Sequence, residues 1–238
     1  MNLLDRYLQG EGRSVYAEIE RMGPDALAKR NLGIVEAVLR ETMNRVAYNL
    51  SIIYSGLLEE DYCFQSNIQF DFDYPLLKPF PNVKDLIRKL DKGVRKFGHV
   101  PLSLKLFYEI VGSCNFAWDY DAIEEIPWEG ADPIQIGPIT DLLEEVKDME
   151  VEDEEPGLSV SADYLHKDNI SGGPGYAVEL TRMPQADGRF LNEEHETSFI
   201  NYLRIAMDGC GFSRAGAVSQ IDDYIGFCKR IKPLLRPI

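Results

Sequence analysis

The longest periodic pattern in the chain covers residues 31 to 57. Its apolar residues recur at intervals of three and four positions, which is the spacing of one face of an α-helix. These residues are Val35, Val38, Leu39, Met43, Val46, Leu50 and Ile53. Shorter helical patterns cover residues 14–22 and 24–30, with Gly23 between them. The first sixty residues therefore predict a helical layer.

Capping signals and apolar spacing predict five further helices. The first covers residues 82–97, with Asn82 as its N-cap and Gly98 as its end. The second runs from Pro101 to Gly112, because the fixed φ of proline suits a first turn and glycine ends a helix. The remaining helical patterns cover residues 139–149, 194–207 and 220–235.

Strand patterns are short and lie between these helices. Residues 67–74, NIQFDFDY, alternate polar and apolar side chains, as expected of a strand or an extended arm. Further strands are predicted at residues 113–120, 158–165 and 176–183, and residues 132–136 form a short apolar run. The acidic run 150–155 is either a solvated connector or a segment that binds a partner, and the sequence leaves both readings open.

Residues 171–175, SGGPG, look like a phosphate-binding loop but lack its context. Such a loop opens into a helix N-terminus and is usually followed by a lysine. Here the following residues Tyr176, Val178 and Leu180 alternate as in a strand, and Pro174 removes one backbone N–H. We therefore predict that the loop joins two antiparallel strands, with its glycines at positive φ.

The charge of the chain restricts the class of its partners. It carries 40 Asp and Glu residues against 25 Lys and Arg, a formal net charge of −15. Binding to nucleic acid or to an anionic membrane surface needs an excess of Lys and Arg, so both are disfavoured. The N-terminus has no apolar signal region and no window is apolar enough to span a membrane, which predicts a cytoplasmic protein.

Candidate metal ligands, nucleophiles and bases do not form a recognisable motif. The four cysteines have no CxxC spacing, which argues against a zinc site or a redox pair; they are Cys63, Cys114, Cys210 and Cys228. His166 lies near Asp163 and Ser171 without a GxSxG motif, and His195 lies in NEEHE without HExxH spacing. We therefore assign no catalytic, cofactor-binding or metal-binding residue. A small-molecule-binding domain or enzyme that uses the His166 loop is the alternative.

An acidic, aromatic segment is the candidate site for binding a protein partner. Its residues are Trp118, Asp119, Tyr120, Asp121, Glu124, Glu125, Trp128 and Glu129. Exposed aromatic rings among carboxylates can bind a basic protein through ion pairs and cation–π contacts. The other interpretation is that the tryptophans are core residues and that the acids surround the edge of that core.

The run VPLSLKLFYEIVGSCNF (100–116) resembles the signature segment of the SUKH superfamily. In that segment a proline opens a helix of apolar pairs that ends in glycine before a strand; here the matching residues are Pro101, Leu104, Phe107, Tyr108, Val111 and Gly112. DPIQI resembles the short sheet segment that follows in the family. The resemblance implies an α+β fold with a mainly antiparallel, curved sheet packed with helices. Residues 61–238 would form that domain, and residues 1–60 a helical extension packed on its core.

For many bacterial members, the SUKH resemblance implies an immunity protein that binds and neutralises a toxin without catalytic residues. The segments LHKDNISGGPGY and FINYLRIAMDGCGF are similar to parts of uncharacterised bacterial proteins. We therefore expect a non-catalytic protein-binding protein whose partner is a basic protein such as a toxin, with no cofactor. A homodimer formed through the helix at residues 31–57 is a further alternative.

Overall fold

The computed structural model describes residues 1–65, 75–123, 126–149, 156–170 and 172–238. The helices of this part are α1 (Leu3–Leu8), α2 (Gly12–Met22), α3 (Leu32–Glu59), α4 (Val83–Gly93), α5 (Leu102–Ile110), α6 (Ile139–Asp148), α7 (Tyr164–Lys167), α8 (Phe199–Asp208) and α9 (Asp222–Ile231). The strands are β1 (Leu76–Leu77), β2 (Ser113–Asn115), β3 (Gln135–Ile136), β4 (Gly157–Ser161), β5 (Tyr176–Glu179) and β6 (Phe190–Leu191). None of the described helices combines the length and apolar character needed to cross a lipid bilayer.

The strands form two antiparallel sheets of three strands each. In the first sheet, β2 lies between β1 and β3, so that Cys114 is opposite Leu76 on one side and Ile136 on the other. In the second sheet, β5 lies between β4 and β6, with Val178 opposite Phe190. The α+β fold class is therefore confirmed, with its strands divided between two small sheets.

Helix α3 confirms the predicted periodicity and carries much of the core. All seven of its predicted apolar positions are at most 1% exposed. The helix contacts α1 on one side and α5, α8 and α9 from the later part of the chain. One hydrophobic cluster therefore contains side chains from before and after residue 60.

The helix predicted from Glu194 begins at Phe199 instead. Ser198 is its N-cap, because its hydroxyl accepts a backbone N–H of the first turn. Ahead of it, the Glu193 carboxylate accepts the backbone N–H of His195 at 2.9 Å. Hydrogen bonds from side chains to the nearby backbone therefore form a turn before α8. The acidic residues of this turn are the ones from which the start of the helix was predicted.

Two smaller expectations about helices were also wrong. The Asn82 side chain makes no capping hydrogen bond, although α4 does begin at the next residue. Residues 24–30 form no α-helix; a short 3-10 turn covers Gly23–Leu27 and ends where Ala28 adopts an extended backbone. The glycine at position 23 has φ +53°, which breaks the helical path between α2 and this turn.

Several strands are shorter than their patterns predicted. The pattern at 113–120 forms only β2, because the Asn115 side chain accepts the backbone N–H of Ala117 at 3.0 Å and turns the chain out of the sheet. Strand β6 was not predicted, since two residues carry no periodic signal. The predicted strand at 67–74 and the acidic run 150–155 lie outside the described residues.

Substitution of Gly112 tests the connection from α5 to β2. Gly112 has φ +96°, and a Cβ atom there would overlap the carbonyl oxygen of Leu77. We expect Gly112→Ala to lower the free energy of unfolding by about 2 kcal/mol or more, through backbone strain and steric overlap. The matched control is Gly226→Ala in α9, where a Cβ meets nothing within 4 Å.

The control should raise the free energy of unfolding by about 0.5–1 kcal/mol, because alanine is the better helix former. Urea denaturation of both variants measures the difference. Equal effects of the two substitutions would contradict the close approach of Gly112 to β1.

Candidate functional site

The two tryptophans of the acidic segment are core residues. Trp118 is 1% exposed and Trp128 is 4% exposed. The ring of Trp118 stacks on Phe212 at a centroid distance of 5.7 Å, and Trp128 lies 5.3 Å from both Tyr224 and Phe227. The expectation that these two rings form a surface patch is therefore wrong, because their apolar area is removed from water by packing against other rings.

The acidic part of the same segment lies at the surface. Asp121 and Glu129 are exposed, and Asp119 and Tyr120 are half-buried. The candidate residues at positions 124 and 125 lie outside the described part of the chain. The described part of the segment therefore presents carboxylates and one partly exposed ring, and we call Asp119, Tyr120, Asp121 and Glu129 the acidic edge.

Asp168 connects the acidic edge to the end of helix α7. Its carboxylate accepts a hydrogen bond from Trp118 Nε1 at 3.1 Å and from the backbone N–H of Gly130 at 2.8 Å. Burial raises the pKa of Asp168, while these two hydrogen bonds act in the opposite direction. One carboxylate thus holds both ends of the acidic edge in place.

A buried ion pair lies next to this connection. Lys167 Nζ is 2.7 Å from Asp132 Oδ1, and both side chains are at most 1% exposed. The second oxygen of Asp132 accepts hydrogen bonds from Ser213 Oγ at 2.6 Å and from the Tyr176 hydroxyl at 3.1 Å. These groups contact one another and not solvent, so their role is to join α7, β5 and the segments that precede β3 and follow α8.

The glycine-rich loop connects α7 to β5, and it enters a strand as predicted. Its glycines do not have positive φ, so that part of the prediction was wrong. They are needed for close approach instead: a Cβ on Gly172 would overlap the Asp163 carboxylate, and one on Gly175 would lie 2.8 Å from the carbonyl oxygen of Ser161. The chain between the two strands contains the short helix α7, whose N-cap is Asp163.

A cavity of about 930 Å³ lies beside this loop, between α6, the second sheet and the turn at residues 192–196. We call it the acidic concavity, because carboxylates from several elements line it: Glu145, Asp163, Glu193, Glu194 and Glu196. Tyr164 adds a partly exposed aromatic ring, whereas the rings of Tyr176 and Phe190 behind it are buried, and Arg189 is the basic side chain of the lining. Such a lining favours a positively charged ligand group.

One wall of the acidic concavity already binds a guanidinium group of the chain itself. Arg214 Nε is 3.0 Å from a carboxylate oxygen of Glu194. The same guanidinium lies over the ring of Tyr164, 3.8 Å from its centroid. A carboxylate and an aromatic face are therefore placed at the spacing that binds an arginine by an ion pair and a cation–π contact.

Two histidines are oriented by carboxylates of the same cavity. His166 Nδ1 is 2.9 Å from Asp163 Oδ2, and His195 Nδ1 contacts Glu193 Oε1. Burial acts to raise the pKa of Asp163, but hydrogen bonds from the backbone and ring of His166 outweigh it and lower the pKa. The ionised carboxylate therefore stabilises the fold, and this contribution is lost as the pH falls through the lowered pKa.

Within the described residues, no three His, Cys, Asp or Glu side chains come together in an arrangement that could hold a metal ion. The histidine–carboxylate pairs at 163–166 and 193–195 each join neighbours in sequence, and the paired ring nitrogen is already engaged. These contacts orient the rings and fix the turns that carry them.

Sequence reasoning identified Asp163 and His166 but missed the acidic concavity as a whole. The acids at 193–196 were visible in NEEHE, yet nothing local showed that they face Glu145 of helix α6. Asp132 and Lys167 were also missed, because they are 35 positions apart and each looks like an ordinary surface residue. No signal in the sequence alone would have paired them.

Comparison with protein-family models, with curated proteins and with solved structures found no match for this chain. The SUKH resemblance of residues 100–116 therefore stays an expectation about function. In the structure these residues form α5 and β2, with Gly112 between them.

Removal of the buried lysine tests the ion pair. We expect Lys167→Met to lower the free energy of unfolding by about 3–5 kcal/mol, since it leaves the Asp132 charge buried without a cation. Lys147→Met is the matched control, because Lys147 pairs with Glu144 at the surface with 64% of its side chain exposed. The control should change stability by less than about 1 kcal/mol.

A double-mutant cycle separates the charge from the packing. Asp132 has φ +56°, which asparagine also tolerates, so Asp132→Asn removes the charge at a suitable backbone position. We expect Asp132→Asn to cost less in the Lys167→Met background than in the wild type. Additive costs in urea denaturation would contradict a coupled pair.

Proposed function

We propose that this chain is a non-catalytic protein-binding protein whose acidic concavity binds basic side chains of a protein partner, with the acidic edge as a second contact. The observation that carries the proposal is the carboxylate and aromatic lining of the concavity. The proposal makes the expectation from the net charge of −15 more specific, because several of the acidic residues lie on one concave surface.

The lining suits a guanidinium or ammonium group in particular. Glu196 is exposed and can attract a cation from solution, whereas the exposed Glu194 already contacts Arg214. Asp163 and Glu193 lie deeper. The contact of Arg214 with Glu194 and Tyr164 is an internal example of the same recognition. A partner arginine or lysine would use ion pairs for attraction and ring faces for packing.

The resemblance of residues 100–116 to the SUKH superfamily makes toxin immunity the specific form of this proposal. The protein would neutralise a basic toxin domain by covering the surface through which the toxin binds its own target. Gene neighbourhood gives the first discrimination: a toxin-domain gene directly upstream supports immunity, whereas consistent placement in a metabolic operon contradicts it.

Removal of the exposed charges of Glu194 and Glu196, which form the rim of the acidic concavity, tests the protein-binding proposal. The immobilised chain captures partners from the native host, and each captured protein is then purified for kinetic measurement. For a true partner, we expect the association rate to fall about tenfold between about 50 and about 300 mM NaCl, because salt screens the attraction. The double variant Glu194→Gln/Glu196→Gln should lower that rate severalfold at low salt.

The matched control removes two charges elsewhere on the surface. Asp222→Asn/Asp223→Asn changes two exposed acids at the start of α9, which do not line the concavity. It should leave the association rate within about twofold of the wild type, since these charges lie away from the contact. Equal slowing by both double variants, or none by either, would contradict binding at the concavity.

The second candidate is a small-molecule-binding domain or enzyme that uses His166. It is favoured by one observation: His166 is half exposed, and its ring is oriented by the buried Asp163 carboxylate, the arrangement of a general base. A thermal-shift screen against metabolites tests it. If a metabolite raises the unfolding temperature of the wild type, we expect His166→Ala to lose this increase. The control His99→Ala, which changes an exposed histidine outside the loop, should keep it.

A further inference from the structure

Two cysteines that are far apart in the sequence meet where α8 is followed by α9. Cys210 lies in the turn after α8, and Cys228 lies within α9. The Cys210 Sγ atom is 4.0 Å from the carbonyl oxygen of Cys228, so the Cys210 side chain lies against the backbone that carries the second thiol. Their spacing in sequence had argued against a redox pair, but the fold brings them together.

Neighbouring contacts hold this arrangement in place. The hydroxyl of Tyr224 donates a hydrogen bond to the carbonyl oxygen of Gly209 at 2.8 Å. Lys232 Nζ donates to the carbonyl oxygen of Asp208 at 2.9 Å. Both bonds join α9 and the residue after it to the end of α8, so the turn that carries Cys210 stays against the helix that carries Cys228.

The two thiols differ in their access to solvent. Cys210 is buried, whereas Cys228 is half-buried and lines an open cavity of about 580 Å³. Tyr224, Ile225, Lys229 and Lys232 also line this cavity. A small reagent can therefore reach Cys228 from the cavity, whereas the buried Cys210 is not among the residues that line it.

The surroundings also favour the reactive form of Cys228. The neighbouring Cys210 side chain lowers the pKa of Cys228 most; burial opposes this, and the positive charge of Lys232 lowers the pKa further. Burial has the contrary effect on Cys114, whose pKa it raises to about 12. Since the thiolate is the nucleophile, Cys228 is set apart from the buried thiol of Cys114.

We propose that Cys228 and Cys210 form an oxidisable thiol pair, in which Cys228 reacts with a hydroperoxide from the cavity and Cys210 completes a disulfide. The Cys228 thiolate attacks one oxygen of hydrogen peroxide, the O–O bond breaks, and hydroxide leaves and takes up a proton to become water. The resulting sulfenic acid is attacked by the Cys210 sulfur; the S–O bond breaks and a second water leaves. Two thiols are oxidised and one peroxide is reduced to two waters.

The disulfide would join the turn after α8 to α9 by a covalent bond. The two half-cystines are 18 positions apart, so the closed loop contains residues 211–227. A cross-link of this kind restricts the unfolded chain more than the folded one, and the oxidised protein should unfold at a higher temperature than the reduced protein.

Thiol mapping of the full chain tests the proposal. The reduced protein is treated with a small excess of hydrogen peroxide, denatured, alkylated with iodoacetamide and digested. We expect two of the four cysteines to resist alkylation, and the digest to contain a peptide in which Cys210 is linked to Cys228. Before oxidation, the native protein should be alkylated at Cys228 about tenfold faster than at Cys114 at neutral pH, because burial raises the pKa of the Cys114 thiol.

Three variants separate the roles of the thiols. Cys228→Ser should leave all remaining thiols free after peroxide treatment, and Cys210→Ala should leave a sulfenic acid at Cys228 that dimedone traps. Cys63→Ser is the control and should form the same disulfide as the wild type. Oxidation at Cys63 before Cys228, disulfides between chains, or no link from Cys210 to Cys228 would overturn the proposal.

If Cys210→Ala fails to fold, the wild-type digest alone still decides the outcome, since it either contains the linked peptide or does not. Cys228 is half-buried, so Cys228→Ser is the milder of the two substitutions. Circular dichroism of each variant before oxidation establishes that folded proteins are compared.

Discussion

The ion pair between Asp132 and Lys167 is the interaction on which the other contacts of this region depend. A buried charge is strongly destabilising unless a partner and further hydrogen bonds compensate it. Here the compensating groups come from α7, from β5 and from the segment after α8, through Lys167, Tyr176 and Ser213. None of these segments can shift alone without leaving a charge or a hydroxyl unpaired, so the pair fixes them relative to one another.

Helix α7 is stabilised by the same contacts. A helix of four residues is not stable by itself, because the cost of its first turn is not recovered by later hydrogen bonds. Its N-cap, Asp163, faces the acidic concavity, Lys167 enters the buried pair, and Asp168 holds the acidic edge. One short segment therefore positions both of the surfaces that we assign to a partner.

The parts of this fold that could be predicted from sequence are those whose signal is local. The apolar period of α3 and the glycine end of α5 need only neighbouring residues to be read, and both were found. The burial of Lys167 could not be read, because its partner is 35 positions away and HKDN looks like an exposed turn. Separation in sequence is also the reason why the contact of Cys210 with Cys228 and the packing of Trp118 on Phe212 could not be predicted. Strand β6 has two residues and thus no period to detect.

The carboxylates of the acidic concavity differ in the hydrogen bonds that they accept from the protein. We expect this difference to give them different roles in binding a partner. Asp163 accepts hydrogen bonds from His166, and both oxygens of Glu145 contact the backbone N–H of Ser159 at 3.0–3.1 Å. Carboxylates fixed in this way lose little freedom when a cation arrives, so they favour a short-range, oriented contact. Glu196 is exposed, keeps its hydration and attracts a cation at longer range. The rim should therefore govern how fast a basic partner associates, and the inner carboxylates how long it stays bound.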